Sequence, residues 1–184
     1  MSKVVGVDDY VYKSAKELEA LSVLILSAMG CDEETARFVA FHLVDASLKG
    51  VDSHGVMRLN QYVEQANEGY FLPIGRTQLK QNGQGAWLVD GQRGFGMPAM
   101  RLAVDTAVVQ AKKQGISAVG VMNCGHTGRL GAFANKERGH RASSSSSAAV
   151  VVGSGGKLLR MGAPKRCCQP TRMRLASPVV ITGR

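Results

Sequence analysis

The middle of the chain reads as a strand, a glycine-rich turn, a helix and a second strand, and this order restricts the fold more than any other feature. Ala86–Gly91 predicts a strand that enters the turn, and Pro98 suits the start of a helix. That helix extends to about Lys113 and is closed by Gly115, after which Ile116–Met122 predicts a buried strand. Strand–helix–strand order is typical of α/β proteins.

The turn imitates the dinucleotide-binding fingerprint of a Rossmann fold. Gly94, Gly96 and Ala99 give the pattern G-x-G-x-x-A between a strand and a helix. The fingerprint also needs an acidic residue at the end of the next strand to hold a ribose, and Asn123 stands there. We therefore reject a Rossmann interpretation.

Two helices precede this unit. Ser14 and Glu17 form a capping box, and apolar residues recur at helical spacing up to Gly30. Asp32 caps a second helix that ends near Gly50. Its inward positions are predicted to be Ala36, Val39, Ala40, Leu43 and Val44, and His42 on the same helix is interpreted as structural.

A third helix is predicted from about Ser53 to Glu68, and it carries His54, Arg58 and Tyr62 at four-residue spacing. Such residues form one stripe along a helix, and this stripe suits an anion, because a guanidinium binds a carboxylate in bidentate fashion. A solvated helix face is the alternative. Ser53 is equally explained as a helix cap or as a residue that reaches a ligand.

A loop follows the second strand, with the sequence Asn123-Cys124-Gly125-His126-Thr127-Gly128. Loops at the carboxyl ends of strands tend to line ligand crevices in α/β proteins, although a histidine there can also be a plain exposed residue.

Two long segments resemble the malate/L-lactate dehydrogenase family, the type that includes ureidoglycolate and sulfolactate dehydrogenases. They are DSHGVMRLNQYVEQANEG and VDGQRGFGMPAMRLAVDTAVVQAKKQGISAVGVMNCGHTGRLGAFA, and the likeness runs from about Ser14 to Gly139. The resemblance implies an α/β fold with an N-terminal helical segment and the start of a non-Rossmann NAD(P)-binding domain, truncated in this chain. We expect a helical substrate-side region over 1–75 and a partial cofactor-binding domain over 76–139.

The resemblance also implies an activity, the transfer of a hydride between NAD or NADP and a small 2-hydroxy or 2-keto acid, with a cyclic imino acid as another option. It makes His126 the catalytic acid/base, and an imidazole suits that task near neutral pH. It makes His54, Arg58 and Tyr62 the substrate-binding residues. Asn123, Thr127 and Gly128 are the expected cofactor contacts, no metal is expected, and the intact family member is expected to be a homodimer.

Charge is distributed unevenly along the chain. Residues 1–139 contain 15 of the 23 basic residues and all 14 acidic ones, whereas residues 140–184 contain 8 basic residues and no acid. A basic arm can bind RNA or a membrane surface, but this tail has no aromatic residue on which bases could stack. No run approaches the roughly 18 apolar residues of a membrane span, so we expect no membrane association and a cytoplasmic location. The four cysteines are given no role.

The last part of the chain departs from the family pattern. Family members continue after Gly139 with an apolar strand and the motifs V-A-P-x-G-G and T-N-P, whereas this chain has a serine run and scattered arginines. Codons for Lys157–Gly183 read in a shifted frame permit both motifs in order, and shifted serine codons encode apolar residues. We infer a frameshift between about His140 and Ser143 and expect a disordered tail over 140–184.

Two hypotheses of different class follow. The first is the dehydrogenase, impaired in this chain because the cofactor stretch and the strand that should pair with Ile116–Met122 are missing, so that the protein is insoluble or inactive. The second is a non-enzymatic binding protein, in which the stripe docks an acidic partner and the basic tail binds nucleic acid. The DNA downstream of the frameshift distinguishes them.

Overall fold

The computed structural model describes residues 13–81, 86–137, 147–152 and 179–182. Five helices, one short 3₁₀ helix and five strands lie in these ranges. The helices are α1 (Ala15–Ala28), α2 (Glu33–Leu48), α3 (Arg58–Asn67), α4 (Gly96–Gln114) and α5 (Leu130–Glu137), and the 3₁₀ helix is η1 (Asp52–His54). The strands are β1 (Gln78–Gln81), β2 (Trp87–Asp90), β3 (Ile116–Met122), β4 (Ser147–Val152) and β5 (Val179–Thr182).

The first two helices form where local signals predict them. The Ser14 side chain accepts a hydrogen bond from the Glu17 N–H, and the Glu17 carboxylate accepts one from the Ser14 N–H in return, which confirms the capping box of α1. The Asp32 carboxylate caps α2 through the Thr35 N–H. All five residues predicted to face inward from α2 are buried.

The strands form one sheet in the order β1-β2-β3-β4-β5. Strands β2, β3 and β4 are parallel, while β1 and β5 are antiparallel to their neighbours at the two edges. Helix α4 connects β2 to β3 and packs on the sheet, as the strand–helix–strand pattern predicts. One continuous apolar core joins this unit to the N-terminal helices, running from Leu26 in α1 to Phe133 in α5. The division near residue 75 stays a prediction.

Strand β3 is half-buried rather than buried throughout. Ser117, Val119 and Val121 lie in the core, whereas Ile116 is 74% exposed and Met122 is 39% exposed. The sequence-based expectation of a fully buried strand was therefore wrong, because only the side chains of alternate residues reach the core.

The expectation of a missing strand and a wholly disordered tail also needs correction. Ser147–Val152 forms β4 and pairs in parallel with β3 over six residues, so β3 is hydrogen-bonded on both sides. Val179–Thr182 forms β5 beside β4. The run Ala-Ala-Val-Val-Val is rich in β-branched residues, which favour strands. The rest of the predicted tail lies outside the described residues, and the frameshift stays a prediction.

Among the described helices, none is both long and apolar enough to cross a membrane.

Candidate active site

The site is built on two loops at the carboxyl ends of neighbouring parallel strands. Residues 91–95 follow β2 and residues 123–129 follow β3. The Gly125 N–H donates to the Gly94 carbonyl at 2.8 Å, and the Gly96 N–H donates to the His126 carbonyl at 3.2 Å. The backbone that carries His126 is thus bonded directly to the start of α4.

Gly91, at the start of the first loop, and Gly96, at the start of α4, allow this close approach. A Cβ on Gly96 would lie 2.4 Å from the Gly125 carbonyl oxygen, and one on Gly91 would lie 2.3 Å from the Cys124 Cβ. Both distances are far below a normal contact, so any side chain would separate the loops. Of the two glycines that imitate a dinucleotide fingerprint, Gly96 therefore serves packing between the two loops, and Gly94 serves packing against Gly75, since a Cβ on Gly94 would lie 2.5 Å from the Gly75 carbonyl oxygen. Both roles agree with the rejection of a Rossmann interpretation.

Asp90 is the last residue of β2, and its side chain connects the two loops through hydrogen bonds. Its carboxylate accepts hydrogen bonds from the Asn123 side-chain amide (3.0 Å), the Gln92 N–H (3.0 Å) and the Lys80 ammonium (2.7 Å). Burial by itself raises the pKa of Asp90, but these three donors outweigh it and lower the pKa to about 2. The sequence reasoning missed Asp90, although an acidic residue that ends an apolar strand just before a glycine was a signal for it.

His126 lies where the loop after β3 meets α3 and η1. Its Nδ1 is 2.7 Å from the Tyr62 hydroxyl, and its ring centroid is 5.0 Å from that of His54. Its Nε2 is buried and has no hydrogen-bond partner among the described residues. An orphaned buried ring nitrogen is uncommon in proteins, and a ligand that binds here would supply its missing partner.

The surroundings keep this imidazole neutral. Burial lowers the pKa of His126, and the nearby Arg58 cation and His54 lower it further, to about 4. At neutral pH the ring therefore carries one proton and one lone pair, which is the form that can accept a proton. His126 therefore ionises at acidic pH rather than near its ordinary pKa of 6.5.

Tyr62 differs from its predicted role as a substrate ligand on an open stripe. It is only 2% exposed, its ring packs edge-on against Phe71 and Phe95, and its hydroxyl is engaged with His126. Burial raises the pKa of the phenol well above its usual range, so it stays protonated. Tyr62 belongs to the core and contacts the site through His126.

The predicted third helix is interrupted, and His54 does not share a helix with Arg58. Gly55 is extended (φ −91°, ψ −162°) between η1 and α3. A Cβ on Gly55 would lie 2.1 Å from the Ser47 Oγ, and that same oxygen accepts a hydrogen bond from the Val56 N–H. Contact with α2 thus breaks the helix, yet it still leaves His54 beside His126.

Arg58 and Ser53 complete this side of the site. The Arg58 guanidinium donates to the Ser53 carbonyl and to the Gln61 side chain, and these two bonds use two of its five N–H donors. The Ser53 hydroxyl lies 2.9 Å from Nδ1 of His54. Ser53 is not the cap of α3, because that helix begins at Arg58 with Met57 as its N-cap.

The three predicted cofactor contacts have different surroundings. The Asn123 amide nitrogen is bound to Asp90, and Gly128 (φ +73°) packs against the Met97 side chain. Gly128 has no side chain, and the Asn123 amide is already engaged. Within the described residues, no hydrogen bond is assigned to the Thr127 hydroxyl. The described residues thus fit the reacting atoms of a substrate and its cofactor, which would meet beside Nε2 of His126. They provide no evident loop that would bind the phosphates of the cofactor.

A second concave feature lies between α2, α4 and α5, and the sequence did not reveal it. It is a cavity of about 510 Å³ with an aromatic floor that includes Phe38, Phe41 and Phe133. The Arg129 guanidinium, just before α5, donates to the Asp45 carboxylate at 2.8 Å across 84 positions, so the end of the loop after β3 is held to α2. Among the described residues, no three His, Cys, Asp or Glu side chains gather as metal ligands.

Comparison with known proteins decides the family. The family model described as malate/L-lactate dehydrogenase matches residues 13–163. The chain belongs to the malate/L-lactate dehydrogenase family. The match extends past residue 139, where we expected the likeness to end.

Individual relatives and structures agree with this family. The chain is 36% identical over 127 residues to a malate dehydrogenase of Pyrococcus abyssi, covering 69% of this chain and 35% of the relative. It is 32% identical over 122 residues to hydroxycarboxylate dehydrogenase B of Escherichia coli, covering 66% and 34%.

Among solved structures, malate dehydrogenase from Pyrococcus horikoshii OT3 matches with a TM-score of 0.64 and 32% identity over 74% of this chain and 40% of that one. The α/β fold is thus that of the N-terminal part of family members. The chain spans about a third of the length of the curated relatives it matches.

Proposed function

We propose that this chain supplies the substrate-binding and proton-transfer part of an NAD(P)-dependent dehydrogenase that acts on small 2-hydroxy acids. The observation that carries the proposal is the buried, unpartnered Nε2 of a neutral His126 beside Arg58 and His54. The names of the relatives, which include malate and sulfolactate dehydrogenases and one that uses NADP, support the substrate class and a nicotinamide cofactor.

His126 is the proton acceptor in this proposal. In oxidation the substrate O–H bond breaks, its proton goes to Nε2, and the bonding electrons form the new C=O bond as hydride leaves the same carbon. The nicotinamide, when bound, supplies the acceptor for that hydride. In reduction the imidazolium returns the proton to the oxygen. Because its pKa is lowered to about 4, His126 is ready as a base at neutral pH, whereas reduction needs it protonated.

Arg58 is the proposed carboxylate ligand. Its N–H donors beyond the two already bonded are available for an anion, and the bonds to Ser53 and Gln61 hold the guanidinium in place. A fixed guanidinium loses little freedom when it binds a carboxylate, so it can orient the carbon that bears the hydroxyl. His54, whose ring lies 5.0 Å from that of His126, is placed to contact the same substrate.

Asn123, Thr127 and Gly128 stay the proposed cofactor contacts, and NAD and NADP both remain candidates. A homodimer and a cytoplasmic location for the intact protein rest on the family alone. The rival function, a non-enzymatic binding protein in which the stripe docks an acidic partner and the basic tail binds nucleic acid, is not favoured, because the relatives are named as dehydrogenases.

The experiment is a binding and turnover comparison on matched variants. L-malate, L-lactate and sulfolactate are titrated into the wild-type chain, and His54 and His126 imidazole signals are followed by NMR. We expect the acids to perturb both signals. The perturbation should be abolished in Arg58→Ala but retained in Arg101→Ala, a surface control.

Turnover with NAD and with NADP is then measured in a frame-restored, family-length form. If none of the three acids perturbs the His54 and His126 signals of the wild-type chain, the proposal is refuted.

A further inference from the structure

Tyr62 has a position that substrate binding does not explain. Its hydroxyl lies 2.7 Å from Nδ1 of His126, and its ring is enclosed by Phe71 and Phe95 at centroid distances of 6.1 and 5.3 Å. A phenol with 2% exposure cannot turn toward a ligand without breaking these contacts. Its hydroxyl is therefore a fixed partner of the imidazole.

The direction of this hydrogen bond determines which ring nitrogen of His126 carries the proton. A phenol can donate or accept, whereas a neutral imidazole has one N–H and one lone pair. If Tyr62 donates to Nδ1, the proton must sit on Nε2, where it would be a buried donor with no acceptor among the described residues. If Nδ1–H donates to the Tyr62 oxygen, Nε2 keeps a lone pair.

Each arrangement leaves one buried donor without an acceptor among the described residues, Nε2–H in the first and the Tyr62 O–H in the second. The second arrangement is favoured by the nearby charge and by the proposed reaction. The Arg58 cation is near enough to lower the pKa of His126, and a lone pair interacts more favourably with a cation than an N–H does. Only a lone pair on Nε2 can accept the proton of the substrate hydroxyl.

We propose that Tyr62 is a positioning residue that holds neutral His126 as the Nδ1–H tautomer and so keeps the Nε2 lone pair available for the substrate hydroxyl. This inference rests on the proposed function. When the substrate O–H breaks and Nε2–H forms, the imidazolium keeps its Nδ1–H bond to Tyr62, and in reduction the Nε2 proton leaves again. The phenol keeps its own proton throughout, and no other bond changes at Tyr62.

The test reads the tautomer directly and needs no turnover. The 184-residue chain is labelled with ¹⁵N, and long-range ¹H–¹⁵N correlations of the imidazoles are recorded at neutral pH. A His126→Gln spectrum identifies the His126 signals among the four histidines. Tyr62→Phe removes the hydroxyl but keeps the aromatic ring, and Tyr70→Phe is the matched control.

We expect the wild type and Tyr70→Phe to show Nδ1 protonated, and Tyr62→Phe to shift toward protonated Nε2 or a mixture. A purely structural role for Tyr62 would leave the tautomer unchanged in Tyr62→Phe, and that result overturns the inference. Protonated Nε2 in the wild type overturns it as well, even if the variant does not fold. A protein with protonated Nδ1 that binds none of the three acids would instead refute the proposed function alone.

Discussion

The Tyr62 hydroxyl and Nδ1 of His126 lie 2.7 Å apart although 64 positions separate them in the chain. This contact joins α3, which also carries Arg58, to the loop after β3. It therefore fixes the distance between the proposed carboxylate ligand and the proposed base, and a change on either element is expected to affect the other.

Replacement of His126 tests the proton-transfer step. In the frame-restored, family-length form, His126→Gln should lower kcat by roughly 10²- to 10⁴-fold, because a positioned acid/base contributes about that much. The dissociation constant of the cofactor should change little. Steady-state kinetics and a cofactor titration check this, and a variant that turns over at the wild-type rate would place the base elsewhere.

Removal of the Arg58 charge should change the titration of His126. Burial is the main cause of the lowered pKa, and the Arg58 cation is the next. Arg58→Gln should therefore raise the pKa of His126 from about 4 toward its usual value, as measured by an NMR pH titration. Arg101→Gln, at a surface cation that contacts Glu34 and Asp105, is the control and should leave it unchanged.

Removal of the whole Arg58 guanidinium should weaken catalysis in the family-length form. Arg58→Ala should raise KM and lower kcat/KM, with little change in Tm, because the guanidinium buries no large apolar area. Kinetics indistinguishable from the wild type would exclude the carboxylate-binding role.

The features that the sequence predicts well are those with local causes. The capping box of Ser14 and Glu17, the Asp32 cap and the strand–helix–strand order all depend on neighbours a few residues away. The one continuous helix predicted for His54, Arg58 and Tyr62 does not form, yet the His54 ring lies 5.0 Å from that of His126.

The features that the sequence could not predict depend on distant contacts. The break at Gly55 is caused by Ser47 in α2, and the burial of Tyr62 is caused by Phe71 and Phe95. Periodicity alone treats Tyr62 as one more polar residue on a stripe. Asp90 was missed because its three donors come from β1 and from two separate loops.

Stability should depend on pH through His126. Its pKa is lowered to about 4 from an ordinary value of 6.5, so the unfolded chain binds more protons than the folded one between these values. The stabilising contribution is complete above about pH 6.5 and is lost as the pH falls toward 4. Urea unfolding at pH 7 and pH 5 should show a larger loss for the wild type than for His126→Gln. Equal losses in the two proteins would contradict the lowered pKa.

Gly96 and Gly125, which lie where the two loops meet, allow a prediction in which one glycine serves as the control for the other. A Cβ on Gly96 would meet backbone atoms of Gly125 and His126 at 2.4 to 2.8 Å, whereas one on Gly125 would meet only the Gly94 carbonyl oxygen, at 3.3 Å. Gly96→Ala should therefore reduce the free energy of unfolding by about 1–3 kcal/mol, a typical cost of overpacking, and Gly125→Ala by less.

Gly96→Ala should also displace the His126 signals, because its new methyl group pushes on the backbone of that residue. Denaturant melts and imidazole NMR spectra check both effects. If Gly96→Ala were as stable as the wild type, with unshifted His126 signals, the two loops could not be packed as closely as the hydrogen bond from the Gly96 N–H to the His126 carbonyl indicates.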